Sequence, residues 1–224
     1  MKKSLLAIAL TSLCLSGAVL ANDTAEQVNY GDPTASYRGL GIQGSDDAYQ
    51  AVGVFGFGEH IASFDLGKNT KTDSLDYRAR YFNVDKDSGF GWSVDVLGSK
   101  GDKANSNGLM AGLVQKIQVT DNIIMVPMLA AGKVSGEDKT LNAKSSSWVA
   151  QPGLYAMYAF DAGHWLYANP KSTYVHDAKS WSAELELGGG YMTSDNTSVG
   201  FKYETSRFKG ATDSKGWLNA YFYF

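Results

Sequence analysis

The sequence predicts an all-β chain, a transmembrane antiparallel up-and-down β-barrel of twelve strands, with ten or eight as the alternative counts. Three observations point there. Apolar and polar residues alternate with period two in short stretches along most of the chain, which gives each strand one greasy face and one wet face. No stretch beyond the N-terminus is apolar for the roughly 20 residues that a membrane-spanning helix needs; the most apolar run, Ile123 to Ala131, is interrupted by Pro127. The connections between alternating stretches are short and long in turn, the pattern of a barrel with tight turns at one mouth and loops at the other.

In chain order the strands fall at 34–43, 47–57, 60–67, 75–84, 90–98, 108–120, 123–134, 147–160, 164–175, 181–193, 198–208 and 216–224, separated by turn-forming residues. In the fourth, Tyr77, Ala79 and Tyr81 alternate with Arg78, Arg80 and Phe82. In the fifth, Trp92, Val94 and Val96 alternate with Ser93, Asp95 and Leu97. The tenth sets Trp181, Ala183, Leu185 and Leu187 against Ser182, Glu184, Glu186 and Gly188. The eleventh sets Val199, Phe201 and Tyr203 against Gly200, Lys202 and Glu204. Residues 121–122, 161–163 and 194–197 form tight turns, and 68–74, 99–107, 135–146 and 209–215 read as long polar loops. Aromatic residues band at the strand ends: Trp148, Trp181 and Trp217 toward the loops, and Phe90, Trp92, Phe160, Trp165, Tyr191, Phe222 and Phe224 toward the turns. Such belts suit rings at headgroup level, whereas a soluble sandwich buries its aromatics mid-strand.

Residues 1–21 read as a secretory leader and 22–224 as the barrel domain. Lys2 and Lys3 precede the apolar stretch Leu5 to Leu15, and Val19-Leu20-Ala21 has the form of a cleavage site. The single cysteine, Cys14, falls in that leader, so no disulfide is expected beyond it. Leu13 precedes it instead of a small residue, which argues against a lipid anchor. The chain is 44% hydrophobic, too apolar for disorder, and its 25 glycines show no three-residue period, which excludes collagen. A formal charge of −3 without a block of like charge argues against nucleic acid as a partner.

The last strand, Trp217 to Phe224, ends on an aromatic and places Leu218, Ala220, Phe222 and Phe224 on one face. It resembles the C-terminal assembly signal of Gram-negative outer-membrane β-barrel proteins. The resemblance implies a bacterial outer-membrane location, contact with outer-membrane lipid and lipopolysaccharide, and delivery by periplasmic chaperones to the barrel-assembly machinery. In size and strand count the chain is also similar to the small twelve-stranded porins for acidic sugars. Those carry a strongly basic lumen; here the arginines are only Arg38, Arg78, Arg80 and Arg207, so acidic-sugar specificity is not implied.

On this register the inward face carries Arg78, Arg80, Ser93, Asp95, Lys116, Gln118, Glu184, Glu186, Lys202, Glu204, Asn219, Tyr221 and Tyr223. Arg78, Arg80, Asp95, Glu184, Glu186, Lys202 and Glu204 are its candidate lumen-lining charges. Two readings follow. Opposed charges can line a pore for passive diffusion of small polar solutes. Alternatively they pair across strands, as Arg80 with Asp95 or Glu186 with Lys202, and close a structural or surface-interaction barrel. Twelve strands leave room in the lumen, which favours the pore.

An outer-membrane lipid-modifying enzyme is the weakest reading. Of the three histidines, only His176, followed by Asp177, is placed to act as a base, and no serine stands two residues from a histidine. No cofactor and no metal site is expected. Gly39-Leu40-Gly41-Ile42-Gln43-Gly44 fits a dinucleotide fingerprint, but no helix follows it; in a strand such glycines admit bulky neighbours. Residues 85–89 resemble the start of a calcium loop with the glycine one position early, and read better as a polar turn.

Overall fold

The computed structural model describes residues 28–224; the leader expected at 1–21 lies outside the described residues. Thirteen strand segments follow one another, with no helix among them. They are β1 (Arg38–Gly44), β2 (Ala48–Phe57), β3 (His60–Asn69), β4 (Ser74–Val84), β5 (Phe90–Lys100), β6 (Ala104–Gln115), β7 (Ile117–Thr120), β8 (Ile123–Asp138), β9 (Ala143–Ala159), β10 (Trp165–Val175), β11 (Ser180–Ser194), β12 (Thr197–Phe208) and β13 (Ala211–Tyr223). Both β6 and β7 pair with β8, so they are two halves of one barrel strand broken at Lys116. Each strand pairs antiparallel with its neighbours, and β1 pairs with β13 to close the ring. The result is a closed barrel of twelve strands, with no free edge to satisfy.

Alternation places the faces. Along β1 and β13, Leu40, Ile42, Leu218 and Phe222 point outward and are exposed, Leu218 by 74%. Leu66, Val96, Leu109, Leu113, Leu129, Leu187 and Phe201 continue this apolar band around the barrel. A face this greasy belongs in lipid, where each such side chain contributes about 1.5–3 kcal/mol on leaving water.

The long loops expected at 68–74, 99–107, 135–146 and 209–215 are shorter than that, because their flanks are strand. Their connections shrink to 70–73, 101–103, 139–142 and 209–210, and β8 and β9 run for 16 and 17 residues. Beyond the lipid band both faces of a hairpin meet water, so the ladder continues without the alternation that marks a strand in sequence. The mouth holding these extensions is called distal. The other, where β1 begins and β13 ends, is proximal.

The inward side of β1 explains the glycine motif. Gly39 and Gly41 stand in register with Tyr223 and Tyr221. A methyl on Gly41 would lie 2.8 Å from the Ala220 carbonyl and closer still to the Tyr221 ring. The same device recurs where Tyr167 lies over Gly188 and Trp165 over Gly190. Adding one methyl at Gly190 forces Trp165 out of its seat, and overpacking of this kind costs about 1–3 kcal/mol. Gly190→Ala is therefore expected to lower the urea midpoint of the refolded barrel with an unchanged denaturant slope.

Candidate functional site

Two of the aromatics expected in the outer belts face inward. Trp165 and Trp217 are each 8% exposed. Parity decides it: once Leu166 and Leu218 face lipid, their neighbours cannot. Trp165 joins Ile61, Phe82, Val84, Val114, Val126, Tyr155, Met157 and Tyr223 in one buried apolar cluster inside the proximal half of the barrel. Trp148, Trp181, Phe90, Trp92, Phe160, Tyr191, Phe222 and Phe224 are exposed.

What fills the centre of that cluster is the chain just before β1. The first strand, expected from 34, begins at Arg38; residues 29–37 instead fold into the proximal mouth as a plug. Two side-chain-capped turns shape it. Asn29 Oδ1 accepts the Gly31 N–H at 2.9 Å, and Asp32 Oδ1 accepts the Thr34 N–H at 2.8 Å. Pro33 presets the second turn, closed by the Ala35 N–H on the Asp32 carbonyl at 3.2 Å. The plug is then tied to the wall on several sides. Tyr155 donates its hydroxyl to the Gly31 carbonyl at 2.6 Å, and Tyr30 stacks on Tyr223 at 3.7 Å between centroids. The Gly56 N–H donates to the Tyr37 carbonyl at 2.6 Å. Lys116, at the break between β6 and β7, reaches Asp32 Oδ2 at 2.7 Å. Gly31 has no room for a side chain against Met157, whose sulfur would lie 2.8 Å from an added methyl.

Above the plug lies a chamber of about 650 Å³ whose wall mixes charged and polar side chains with apolar ones. On one side, Arg80 reaches Asp95 at 2.9 Å and Arg78 Nε donates to the same carboxylate at 3.0 Å. On the far side of the ring, Lys202 pairs with Glu204 at 2.8 Å and Lys171 with Glu184 at 3.6 Å. Glu204 also accepts the Trp217 indole N–H at 2.8 Å, and Glu186 accepts the Tyr167 hydroxyl at 2.8 Å. Arg78, Arg80, Asp95, Glu186, Lys202 and Glu204 line this chamber; Glu184 stands beside it on β11, held by Lys171. Lys202 thus takes its own strand neighbour, two residues on, and not Glu186. Gln118 is exposed at the proximal rim, donating to the Thr120 carbonyl at 2.6 Å.

Asp95 is 7% exposed and holds two guanidiniums. Asp95→Ala would leave Arg80 without its counter-charge and Arg78 with only Asp65, opposite it in the β3–β4 register, to turn to. The expected loss is about 2 kcal/mol, smaller than at a fully buried pair because each arginine keeps some water. Asp95→Asn retains an acceptor and should lose less, as read by urea unfolding.

The five proximal turns share one property that sequence reading passed over, because strand ends had to be known first. Each carries a carboxylate: Glu59, Asp85 with Asp87, Asp121, Asp161 and Asp195. The Ser88 hydroxyl and N–H, both donating to Asp85, hold its carboxyl below the usual aspartate range, so this turn stays charged into mild acid. Two histidines are engaged structurally. His60 Nδ1 lies 2.6 Å from the Tyr81 hydroxyl, and His164 Nδ1 accepts the Met192 N–H at 2.9 Å. His176 sits in the 176–179 turn, its N–H on the Trp148 carbonyl.

The shape defines a class: a closed twelve-strand barrel with a lipid-facing exterior and a polar chamber, the fold of outer-membrane porins and channels. Solved structures agree on that fold. The NanC porin superposes with a TM-score of 0.58 at 12% identity, over 84% of this chain and 99% of the porin. An outer-membrane channel from Pseudomonas putida F1 gives 0.58 at 12% identity, over 88% and 100%. The KdgM porin gives 0.54 at 10% identity, over 84% and 98%. No family model and no curated protein matches the sequence.

Proposed function

We propose that the protein is a bacterial outer-membrane channel for passive diffusion of small polar solutes, with the proximal mouth in the periplasm and the distal hairpins outside. The observation that carries this reading is the chamber itself: a cavity lined by charges of both signs within a barrel whose exterior is apolar. On this reading residues 29–37, tied to the proximal wall by Tyr155, Tyr223 and Lys116, obstruct that mouth, and solutes pass when the plug shifts aside. Arg78, Arg80, Asp95, Glu184, Glu186, Lys202 and Glu204 are the charges that solutes meet. We infer no catalytic role for this chain. Residues 1–21 would direct export and be removed. Periplasmic chaperones and the barrel-assembly machinery would then receive the chain through Leu218, Ala220, Phe222 and Phe224, with lipopolysaccharide around the finished barrel.

A second reading has one observation in its favour. The plug and its apolar collar fill the proximal half, which also suits a barrel that stays shut and serves envelope integrity or surface contact. Swelling of proteoliposomes in isotonic solutions of small sugars and amino acids separates the two. Swelling rates that fall with solute size support the channel. Rates equal to protein-free vesicles, with folded barrel verified by its heat-dependent gel mobility, support the shut barrel.

A further inference from the structure

Every cation on the chamber wall already has a carboxylate. Arg78 and Arg80 share Asp95, Lys171 holds Glu184, and Lys202 holds Glu204. The converse is not true. Among the described residues Glu186 has only the Tyr167 hydroxyl. Asp65 lies opposite Arg78 in the β3–β4 register, yet no ion pair or hydrogen bond reaches it among the described residues, because the guanidinium is turned to Asp95. Asp76, toward the distal mouth, is held by the Ser99 and Ser74 hydroxyls and by no cation. One further acceptor is spare. Asn169, in register with Glu186 on the adjacent strand, has a buried Oδ1 without a hydrogen-bond partner.

A second observation, independent of the chamber, has the same sign. All five proximal turns carry carboxylates, with Lys86 as the one lysine or arginine within them, whereas the distal turns mix both signs: Asp46, Asp47, Asp73, Asp102 and Asp177 against Lys71, Lys103, Lys139, Lys179 and Lys209. A ring of carboxylates at one end of a pore concentrates cations there and repels anions.

Resting on the channel reading above, we propose that this barrel prefers cations, and that its solutes are small organic ions bearing an ammonium or guanidinium group. Such a group brings the donors and the positive charge that Glu186, Asp65 and the Asn169 carbonyl lack. The carboxylates of the proximal ring raise its concentration at that mouth. An anion finds no cation free to receive it, since each would have to break an existing pair.

The test is the zero-current potential of the refolded full chain in a planar bilayer across a KCl gradient. Beside it stand Glu186→Gln with Asp65→Asn, and a ring variant with Asp85→Asn, Asp87→Asn and Asp121→Asn. Gln at 186 keeps the acceptor for Tyr167, so the fold is spared. The wild type should be potassium-selective, and the chamber double variant should cut the potassium-to-chloride permeability ratio severalfold at all salt concentrations. The ring variant should act in dilute salt and fade toward 1 M, where the screening length falls to about 3 Å. Arginine or putrescine ions should reduce the potassium current of the wild type and much less that of the double variant. A chloride-selective or unselective wild type overturns the proposal while leaving a channel. Selectivity that survives both variants overturns the residue assignment. A full chain that is silent is measured again without residues 28–37, and silence in both overturns the channel reading as well.

Discussion

Deletion of residues 28–37 should raise the single-channel conductance of the refolded barrel severalfold. The plug touches the proximal wall through the Tyr30–Tyr223 stack, the Tyr155–Gly31 hydrogen bond and the Lys116–Asp32 ion pair. None of these belongs to the strand ladder from Arg38 to Tyr223; the one ladder-like tie the deletion removes is the Gly56 N–H on the Tyr37 carbonyl, at the end of the β1–β2 pairing. The barrel should therefore survive the deletion, at the cost of the packing that Trp165 and Met157 make on Gly31. Removing the ion pair alone tests the same element more gently. Asp32→Asn keeps the turn-capping oxygen for Thr34 but drops the charge opposite Lys116, so open events should become more frequent without a larger unit step. Lys116→Met leaves Asp32 buried and unpaired and should do the same. An unchanged conductance in the deletion would place the constriction elsewhere.

Deletion of Phe224 should lower the amount of barrel in the outer membrane severalfold while barely changing the stability of barrel that does form. Phe224 is 61% exposed on the lipid side and stacks on Phe222 at 6.2 Å between centroids. Its one backbone tie is the N–H on the Arg38 carbonyl at 3.0 Å. The folded state thus loses little without it. On the assembly role proposed above, the recognition step would lose the aromatic at the end of the alternating strand. Membrane fractions compared by immunoblot, alongside urea unfolding of the refolded variants, separate the two effects. Equal membrane levels would remove the assembly role given to Phe224.

How legible each part was follows from which physical constraint shaped it. The lipid band forces period-two alternation on every strand that crosses it, so Arg78, Arg80, Asp95, Lys202 and Glu204 could be placed on one face before any coordinates. Outside the band the constraint disappears. Residues 104–107 and 135–138 are ladder in the structure, yet they look like loop because water lies on both sides. The plug was illegible for a different reason. Its sequence, Asn29-Tyr30-Gly31-Asp32-Pro33-Thr34, announces turns, but nothing in a turn signal says that the turns fold inward. The inward rings of Tyr155, Trp165 and Tyr223 that frame that seat come from strands more than a hundred residues away. Pairing choices were half legible. Arg80 with Asp95 follows from the β4–β5 register. Lys202 reaching Glu204 along its own strand depends on side-chain direction, which alternation does not encode.

The central claim is that the face bearing Ser93 and Asp95 lines a conducting, water-filled lumen, and cysteine accessibility measures it most directly. Cys14 is the only cysteine in the sequence, so a chain lacking residues 1–21 offers a clean background. Ser93 borders the chamber, and Val96 faces outward, 42% exposed, on the same strand. A charged, membrane-impermeant thiol reagent added during recording should step down the conductance of Ser93→Cys and leave Val96→Cys unchanged. Modification of Val96→Cys with Ser93→Cys silent would invert the barrel's faces. No conductance from either protein, with and without residues 28–37, would contradict the channel itself.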